Sequence, residues 1–385
     1  MFSTVSPRSG RLLQRQPGVH TFEPASLPPK PDLSLSPIQW RHVMDAERSL
    51  GRLQGLLEGT DWPQGLLRLT ALQEAAASAR LEGGHFPLSD LLWWELDGRV
   101  NELRSSTGAL RLASQHAEML LNGPETLAQD LESLHQGLYR NVRGRDGQAG
   151  KLRTSLIWLG PKGSTAQDAP YVPPAPEQLR QHVDGLSDFL TQASAWPRVV
   201  HAALSYYQVE SLQPFLDGSG RIARILLVNS LAGKDAHSSA VLLRPSLLWT
   251  KNTAEHFGQL QMLREHGSFE EWISVFSKSI EQSCSQALEL MNRVTSWLTQ
   301  TRRKISDQLP NQRQIAMAIL SALPGQPLLS IESAANLCNR NFANANIVVQ
   351  RLVGLGLLRE ITGRKRNRRF VAPSLMLALE EEITP

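Results

Sequence analysis

The chain has 385 residues, of which 41% are hydrophobic and 20% are charged, so it has enough apolar material for a packed core in about two to three domains. This composition excludes a disordered or fibrous protein, and no apolar run approaches the ~20 residues that a membrane-spanning helix needs. The formal net charge of +4 is mild, and the two cysteines, Cys284 and Cys338, are far apart without a disulfide or zinc spacing. We therefore expect a cytoplasmic protein without membrane contact.

The first 300 residues predict a mainly α fold. Residues 1–37 are rich in proline and serine, which predicts a disordered basic leader. Apolar residues then recur at helical spacing, with a break at 59–63, and predict an N-terminal helical region over 38–140. A helical core is expected over 141–300, where the β-like run at 156–159 predicts a small hairpin or an irregular flap.

The remaining residues predict a smaller unit. Residues 311–373 read as three helices followed by two strands joined by a basic turn, and residues 374–385 as a tail. The turn holds five cations within seven residues, and these are Arg364, Lys365, Arg366, Arg368 and Arg369. Such a local cluster attracts phosphate, whereas the charge of the whole chain does not indicate a nucleic-acid binder.

The strongest chemical signal is the segment 213–224. Two glycines, Gly218 and Gly220, flank Ser219 directly before a predicted helix. Successive backbone N–H groups at such a place can point into one concavity at the positive end of the helix. The three residues therefore predict an anion cradle.

Charged residues surround this predicted cradle. Arg221 and Arg224 are three residues apart, share one face of the helix and could neutralise phosphate oxygens. Asp217 offers a hard oxygen ligand, which suits Mg²⁺ on a polyphosphate. The alternative from spacing alone is an ordinary glycine-containing loop with solvated arginines.

The same segment resembles the signature of the Fic (fido) family, His-Pro-Phe-x-(Asp/Glu)-Gly-Asn-Gly-Arg-x-x-Arg. The matching positions are Pro214, Phe215, Asp217, Gly218, Gly220, Arg221 and Arg224. Further similarity lies at 150–153, 157–160, 171–174 and 271–276, so the resemblance spans roughly residues 40 to 300. It implies a helical core that binds Mg-ATP and transfers AMP to a Ser, Thr or Tyr hydroxyl of a target protein.

Two departures from the signature bear on the chemistry. Gln213 stands where the family has its catalytic histidine, and Ser219 where it has asparagine. A carboxamide has no usable basicity at neutral pH, and the loss of a general base lowers rates by about 10² to 10⁴. We expect slow or absent transfer unless Glu210 or His201 supplies a base. A cradle of backbone N–H groups would survive, and the Ser219 hydroxyl could contact a phosphate or the metal shell.

An upstream motif, Ser78-x-x-x-Glu82-Gly83, resembles the inhibitory element of the family. The resemblance implies that Glu82 pairs with Arg224 and displaces the terminal phosphate from a productive pose. A carboxylate opposite a guanidinium is a good bidentate partner. The alternative is an ordinary surface helix that ends at Gly83, which would use the same residues.

The C-terminal unit resembles a winged helix-turn-helix domain. Residues 342–355 would be its recognition helix and 363–369 its wing. Polar side chains that could reach base edges are Asn341, Asn344, Asn346 and Gln350. The alternative is a unit that packs against the core or mediates dimerisation.

Two hypotheses from different classes follow. The first is a degenerate Fic adenylyltransferase that binds Mg-ATP and transfers AMP poorly or not at all. The second is a DNA-binding regulator that uses the Fic core as a nucleotide sensor or as the scaffold of a homodimer. Full catalytic competence through an altered base or donor stays open as a third.

Overall fold

The computed structural model describes residues 5–58, 64–96, 107–122, 130–140, 142, 147–192, 196–232 and 240–380. The predicted break at 59–63 lies outside these ranges. The helices are α1 Pro37–Glu58, α2 Gln64–Leu81, α3 Leu88–Leu96, α4 Thr107–Asn122, α5 Leu131–Tyr139, α6 Pro176–Thr191, α7 Arg198–Leu212, α8 Ser219–Ala232, α9 Pro245–Trp249, α10 Thr253–His266, α11 Phe269–Gln308, α12 Arg313–Ala322, α13 Ile331–Cys338, α14 Phe342–Gly354 and α15 Pro373–Glu380. The mainly α prediction is confirmed.

Two central helices, α7 and α8, form the middle of the core. Nearly every residue of both is buried, which is typical of helices enclosed on all sides. The 40-residue helix α11 packs along α1 and α7 and continues to α12 and α15. The loop between α7 and α8, residues 213–218, is therefore held between two rigid elements.

The N-terminal segment differs from its prediction. Strands β1, Gly10–Gln16, and β2, Val19–Pro24, form an antiparallel hairpin, so the prediction of a disordered leader is wrong there. Buried Phe22 donates its backbone N–H to the Val172 carbonyl at 2.8 Å. These long-range contacts stabilise strands that composition alone does not reveal.

The predicted hairpin at 156–159 is absent from the described residues. A single antiparallel bridge joins Leu159 to Tyr171, and both Trp158 and Leu159 are exposed. Because these apolar side chains find no core to cover, the segment adopts the irregular form that the prediction also allowed.

The C-terminal unit contains α12 to α14 and a small antiparallel sheet. Its strands are β3 Leu328–Ser330, β4 Arg359–Glu360 and β5 Arg369–Val371, in the order β3-β5-β4. The predicted tail spans residues 374–385, and its residues 374–380 belong to helix α15. Buried Leu375 and Leu379 of this helix pack toward α11. No helix in the described part of the chain is long and apolar enough to cross a membrane.

Candidate anion site at the start of α8

The loop before α8 has a tightly constrained backbone. Gln213 ends α7 in the left-handed region with φ 43°, and Gly218 has φ 81°. A β-carbon on Gly218 would lie 2.7 Å from the Tyr139 hydroxyl oxygen, so this position requires glycine. The predicted cradle residues thus stand at the N-terminus of α8, where the first backbone N–H groups of a helix have no partner within it.

Ser219 closes the loop with its side chain. The hydroxyl oxygen accepts from the Phe215 N–H at 3.0 Å and donates to the Phe215 carbonyl at 3.2 Å. The expected role of this hydroxyl toward a phosphate therefore finds no support, because it is already bonded inside the loop. Its backbone N–H remains at the start of the helix.

Buried Arg153 holds the loop from the side of α7. Its backbone N–H donates to the Pro214 carbonyl at 3.0 Å, and its Nε donates to the Gln213 carbonyl at 2.8 Å. A terminal nitrogen donates to the Pro174 carbonyl at 2.5 Å. A cation at the C-terminal end of a helix is also favoured by the helix dipole. Burial lowers the pKa of Arg153 to about 10.

His135 supports the loop from α5. Its Nδ1 accepts from the Gly150 N–H at 2.9 Å, so Nε2 carries the proton and donates to the Asp217 carbonyl at 3.0 Å. The ring stacks on Phe215 with centroids 3.9 Å apart. Sequence reasoning assigned no role to His135, because a single histidine on a helix gives no signal of a contact so distant in the chain.

In the structure, the upstream motif at 78–83 contacts both Arg221 and Arg224. Glu82 lies just after α2, where Gly83 turns the chain with φ 80°. Its Oε1 is 2.7 Å from Arg224 Nη2, and its Oε2 is 2.6 Å from Arg221 Nε. Ser78 Oγ accepts from Arg224 Nε at 2.6 Å. The helix end and the ion pairs coexist, so the two interpretations of this motif are compatible.

Arg224 is one of the most deeply buried side chains, with 1% exposed. Burial alone would lower its pKa, but Glu82, Tyr206, Glu210 and Glu74 together raise the pKa. The Nη1 atom of Arg221 is also buried and has no hydrogen-bond partner among the described residues. A buried donor without a partner is costly, and an incoming anion would satisfy it.

Gln213 is hydrogen-bonded to Glu210, one of the two residues considered as a substitute base. The other is His201. The Nε2 atom of Gln213 donates to Glu210 Oε2 at 2.9 Å, while Glu210 Oε1 lies 3.4 Å from Arg224 Nη1. Burial raises the pKa of Glu210, and the charge of Arg224 opposes that rise. His201 lies elsewhere, stacked on Phe189 and bonded to its carbonyl at 3.2 Å. Glu210 therefore contacts the site, and His201 does not.

A cavity of about 220 Å³ opens beside the loop. It is lined by exposed Asp217, by His135 and Tyr139 of α5, and by the segment 147–155, which includes Lys151. Burial and the nearby charge of Asp217 raise the pKa of Tyr139. No group of three or more side chains suited to a metal occurs in the described ranges.

The five basic residues of the C-terminal turn divide into two groups. Arg364, Lys365 and Arg366 are exposed between β4 and β5. Arg368 donates to Asn346 Oδ1 at 2.7 Å, and the Arg369 guanidinium lies 4.6 Å from the centre of the Trp93 ring. Of the predicted DNA-binding cations, Arg368 thus makes a contact within the unit, and Arg369 contacts α3 outside it.

The predicted base-reading side chains of α14 also have different surroundings. Asn341 caps this helix by accepting from the Asn344 N–H at 2.9 Å. Asn344 and Gln350 are exposed, whereas Asn346 is half-buried beside Arg368. Exposed Asn344 and Gln350 therefore remain the candidates for contacts outside the chain.

Comparison with known proteins agrees with this geometry. Residues 125–231 match the Fic/DOC family, and residues 40–114 match the Fic/DOC family N-terminal model. Protein adenylyltransferase Fic of Nematostella vectensis is 26% identical over 156 residues, which cover 38% of this chain and 31% of that protein. Protein adenylyltransferase fic-1 of Caenorhabditis briggsae is 24% identical over 203 residues, 50% of this chain and 34% of that protein. The chain spans about a third of the length of these relatives.

Solved structures show the same fold. A Fic family protein from Desulfovibrio desulfuricans G20 superposes with a TM-score of 0.58 at 16% identity, covering 89% of this chain and 98% of that one. Fic-1 from C. elegans gives a TM-score of 0.50 at 17% identity, covering 66% and 74%. The two matching family models identify this chain as a Fic domain protein, and the solved structures show that its fold is shared.

Proposed function

We propose that this chain is an adenylyltransferase-like Fic protein that binds Mg-ATP at the loop 213–224 and transfers AMP weakly or not at all. The observation that carries the proposal is the position of Glu82, whose carboxylate lies between Arg221 and Arg224. Two arginines that hold a carboxylate in this way can hold phosphate oxygens in its place. The names of the relatives support ATP as the nucleotide and a protein as the target.

The residues present fit a phosphate-bound magnesium ion. Asp217 is exposed at the cavity, and a single carboxylate combined with ligand phosphates is a common way of binding Mg²⁺. The ion would neutralise part of the phosphate charge. The backbone N–H groups of Gly218, Ser219 and Gly220 would cradle phosphate oxygens at the positive end of α8.

Transfer of AMP requires that the attacking hydroxyl loses its proton. The Gln213 amide has its nitrogen bonded to Glu210, so its oxygen is left to accept a hydrogen bond, but it cannot take up a proton. The Glu210 carboxylate is buried and bonded to Gln213 and Arg224, and we do not assign it the role of base. Transfer should therefore be lower by about 10² to 10⁴ than with a histidine at this position.

Glu82 would act as an inhibitor, together with Ser78, which fixes Arg224, and Gly83, which turns the chain. Its carboxylate occupies the positions on Arg221 and Arg224 that a phosphate needs. A nucleotide must displace this carboxylate to reach both arginines, which weakens binding.

The test follows label from the α-phosphate of ATP into protein. It compares the natural chain with Gln213→His and Glu82→Gly, singly and together. We expect little label on the natural chain and the most label after both substitutions. Strong labelling of the natural chain would mean that another group acts as base. No labelling by the double variant, although it is folded and binds ATP, would contradict an adenylyltransferase site.

A second proposal is that the C-terminal unit is a winged helix that binds DNA. It is supported by the exposed cations Arg364, Lys365 and Arg366, which lie between β4 and β5 in the same small unit as α14. Neutralising these three residues should weaken DNA binding at low salt and lower the salt slope by about one per lost phosphate contact. Unchanged binding, or no DNA binding by the natural chain at low salt, would contradict this proposal.

A further inference from the structure

Arg224 is held by carboxylates from two directions. Glu82 approaches from the end of α2, and 24% of its side chain is exposed. Glu210 approaches from the last turn of α7, and only 5% of its side chain is exposed. The first contact is 2.7 Å and the second 3.4 Å. The same guanidinium therefore has one accessible partner and one enclosed partner.

We propose that Glu210 is a specificity-determining residue of the anion site, because its enclosed charge keeps Arg224 partly neutralised after Glu82 has been displaced. The proposal rests on the anion site described under the proposed function and concerns which phosphate ligands that site prefers. A site with one neutralised arginine distinguishes weakly between ligands of different phosphate charge.

The first step of the argument is that the two carboxylates differ in their freedom to move. Glu82 follows the end of α2 beside Gly83, which has a left-handed backbone, so its side chain can leave without disturbing a helix. Glu210 lies within α7, whose residues around it are all buried. A ligand can displace Glu82, whereas Glu210 stays in place.

The second step is a count of charge around the site. Three ion pairs join two arginines, Arg221 and Arg224, to two carboxylates, Glu82 and Glu210, so the charges of these four groups balance. When Glu82 leaves, the balance becomes positive by one charge. Without Glu210 it would be positive by two. The attraction for each additional phosphate charge rises with this excess, most strongly in a site shielded from water.

Glu74 also lies within electrostatic range of Arg224, but its contacts differ. It accepts from the backbone N–H of Ser246 at 3.0 Å and also from the Ser246 hydroxyl. Burial raises the pKa of Glu74 to about 7. Since its oxygens are bonded at the start of α9, it does not take the place of Glu210 on Arg224.

The third step is the link from Glu210 to residue 213. Its Oε2 accepts from Gln213 Nε2 at 2.9 Å, while its Oε1 faces Arg224. One carboxylate therefore fixes both the orientation of the Gln213 amide and the charge state around Arg224. Substitution of Gln213 and substitution of Glu210 should affect nucleotide affinity in a non-additive way.

The experiment measures the affinities of the full chain for Mg-ATP, Mg-ADP and AMP by calorimetry. Glu82→Gly is compared with the double variant Glu82→Gly, Glu210→Gln. The change at residue 210 keeps the shape of the side chain and removes its charge. We expect the double variant to bind Mg-ATP about tenfold more tightly and AMP with a smaller gain, so that the preference for ATP over AMP increases. Glu270→Gln, which removes one carboxylate from a pair with Arg8, is the matched control and should change neither affinity.

The outcomes separate this inference from the proposed function. If Glu82→Gly binds Mg-ATP and the additional Glu210→Gln changes nothing, or improves ATP and AMP equally, Glu210 does not set specificity while the nucleotide site stands. If the folded variants bind no nucleotide, both proposals fail. Glu210→Asp, which withdraws the carboxylate from Arg224 by one methylene, should give an intermediate preference and serves if Glu210→Gln does not fold.

Discussion

The candidate anion site and the basic C-terminal turn both concentrate arginine, but these arginines have opposite surroundings. Arg221 and Arg224 are buried and paired with carboxylates, whereas Arg364, Lys365 and Arg366 extend into solvent. Charges in a buried site act at short range and are screened little by salt, while exposed charges act through a field that salt weakens. The buried arrangement is therefore suited to fixing the position of a ligand, and the exposed one to attracting a charged partner.

Among substitutions around the buried site, the largest loss of stability is expected for Arg153→Ala. This change leaves the carbonyls of Gln213 and Pro174 without their side-chain donors, although the backbone bond to Pro214 remains. We expect a loss of about 3 kcal/mol in the free energy of unfolding. Urea denaturation measures it. Arg180→Ala, which removes an exposed ion pair with Glu132, should lose less than about 1 kcal/mol. Equal losses would contradict the assigned role of Arg153.

A pH dependence of stability is expected from buried Glu74, which lies near Arg224. Burial raises the pKa of Glu74 from 4.5 to about 7. The folded chain thus binds this proton more readily than the unfolded chain, so the contribution of Glu74 to stability is present at low pH and is lost as pH rises from about 4.5 through about 7. The loss is on the order of 3 kcal/mol.

Glu74→Gln should flatten that decline, which thermal unfolding between pH 5 and pH 8 would measure. Glu132→Gln on the surface should leave it unchanged, since that carboxylate is paired with exposed Arg180. A decline that persists in full after Glu74→Gln would assign the pH dependence to other groups.

Gly218→Ala tests the backbone of the loop. The added carbon meets the Tyr139 hydroxyl oxygen at 2.7 Å, and the residue keeps φ 81°, so we expect a loss of about 1 to 3 kcal/mol and weakened nucleotide binding. The control is Gly51→Ala on α1, where a β-carbon meets no atom within 4 Å and should not destabilise the chain. A neutral Gly218→Ala variant would show that the cradle tolerates another backbone geometry.

The smallest effect on stability is expected at the basic turn. Replacing Arg364, Lys365 and Arg366 together by glutamine should change the free energy of unfolding by no more than about 0.5 kcal/mol, because all three are exposed. Arg369→Gln removes a contact with the Trp93 ring and should destabilise by about 0.5 to 1 kcal/mol. A large loss in the triple variant would mean that these cations hold the unit together.

Local sequence patterns predicted much of the helical fold. Helix α13 is one of the three helices predicted within 311–373. It begins at Ile331 and ends at Cys338, because Ser330 caps it and Asn339 ends it in a left-handed conformation. The N-terminal hairpin was missed, although Pro17 and Gly18 stand between its two strands. Its stability comes from contacts with distant elements such as Val172, which periodicity does not register.

The candidate site was also predictable from the sequence only in part. The spacing of Arg221 and Arg224 was informative, and the resemblance to the Fic family implied that Glu82 pairs with Arg224. The structure brings these residues together. The supporting roles of His135 and Arg153 could not be deduced, since their partners lie 82 and 60 residues away. Glu210 was named as a candidate base, but only its orientation beside Gln213 and Arg224 indicates a role in setting charge.

The central claim is that Glu82 occupies an anion site built by Arg221 and Arg224. Its most direct test is the affinity of the natural chain and of Glu82→Gly for Mg-ATP, measured by calorimetry with Glu270→Gln as the control. The account predicts that Glu82→Gly binds at least about tenfold more tightly than the natural chain and the control. Equal affinities for all three, or no binding by the folded Glu82→Gly variant, would contradict it.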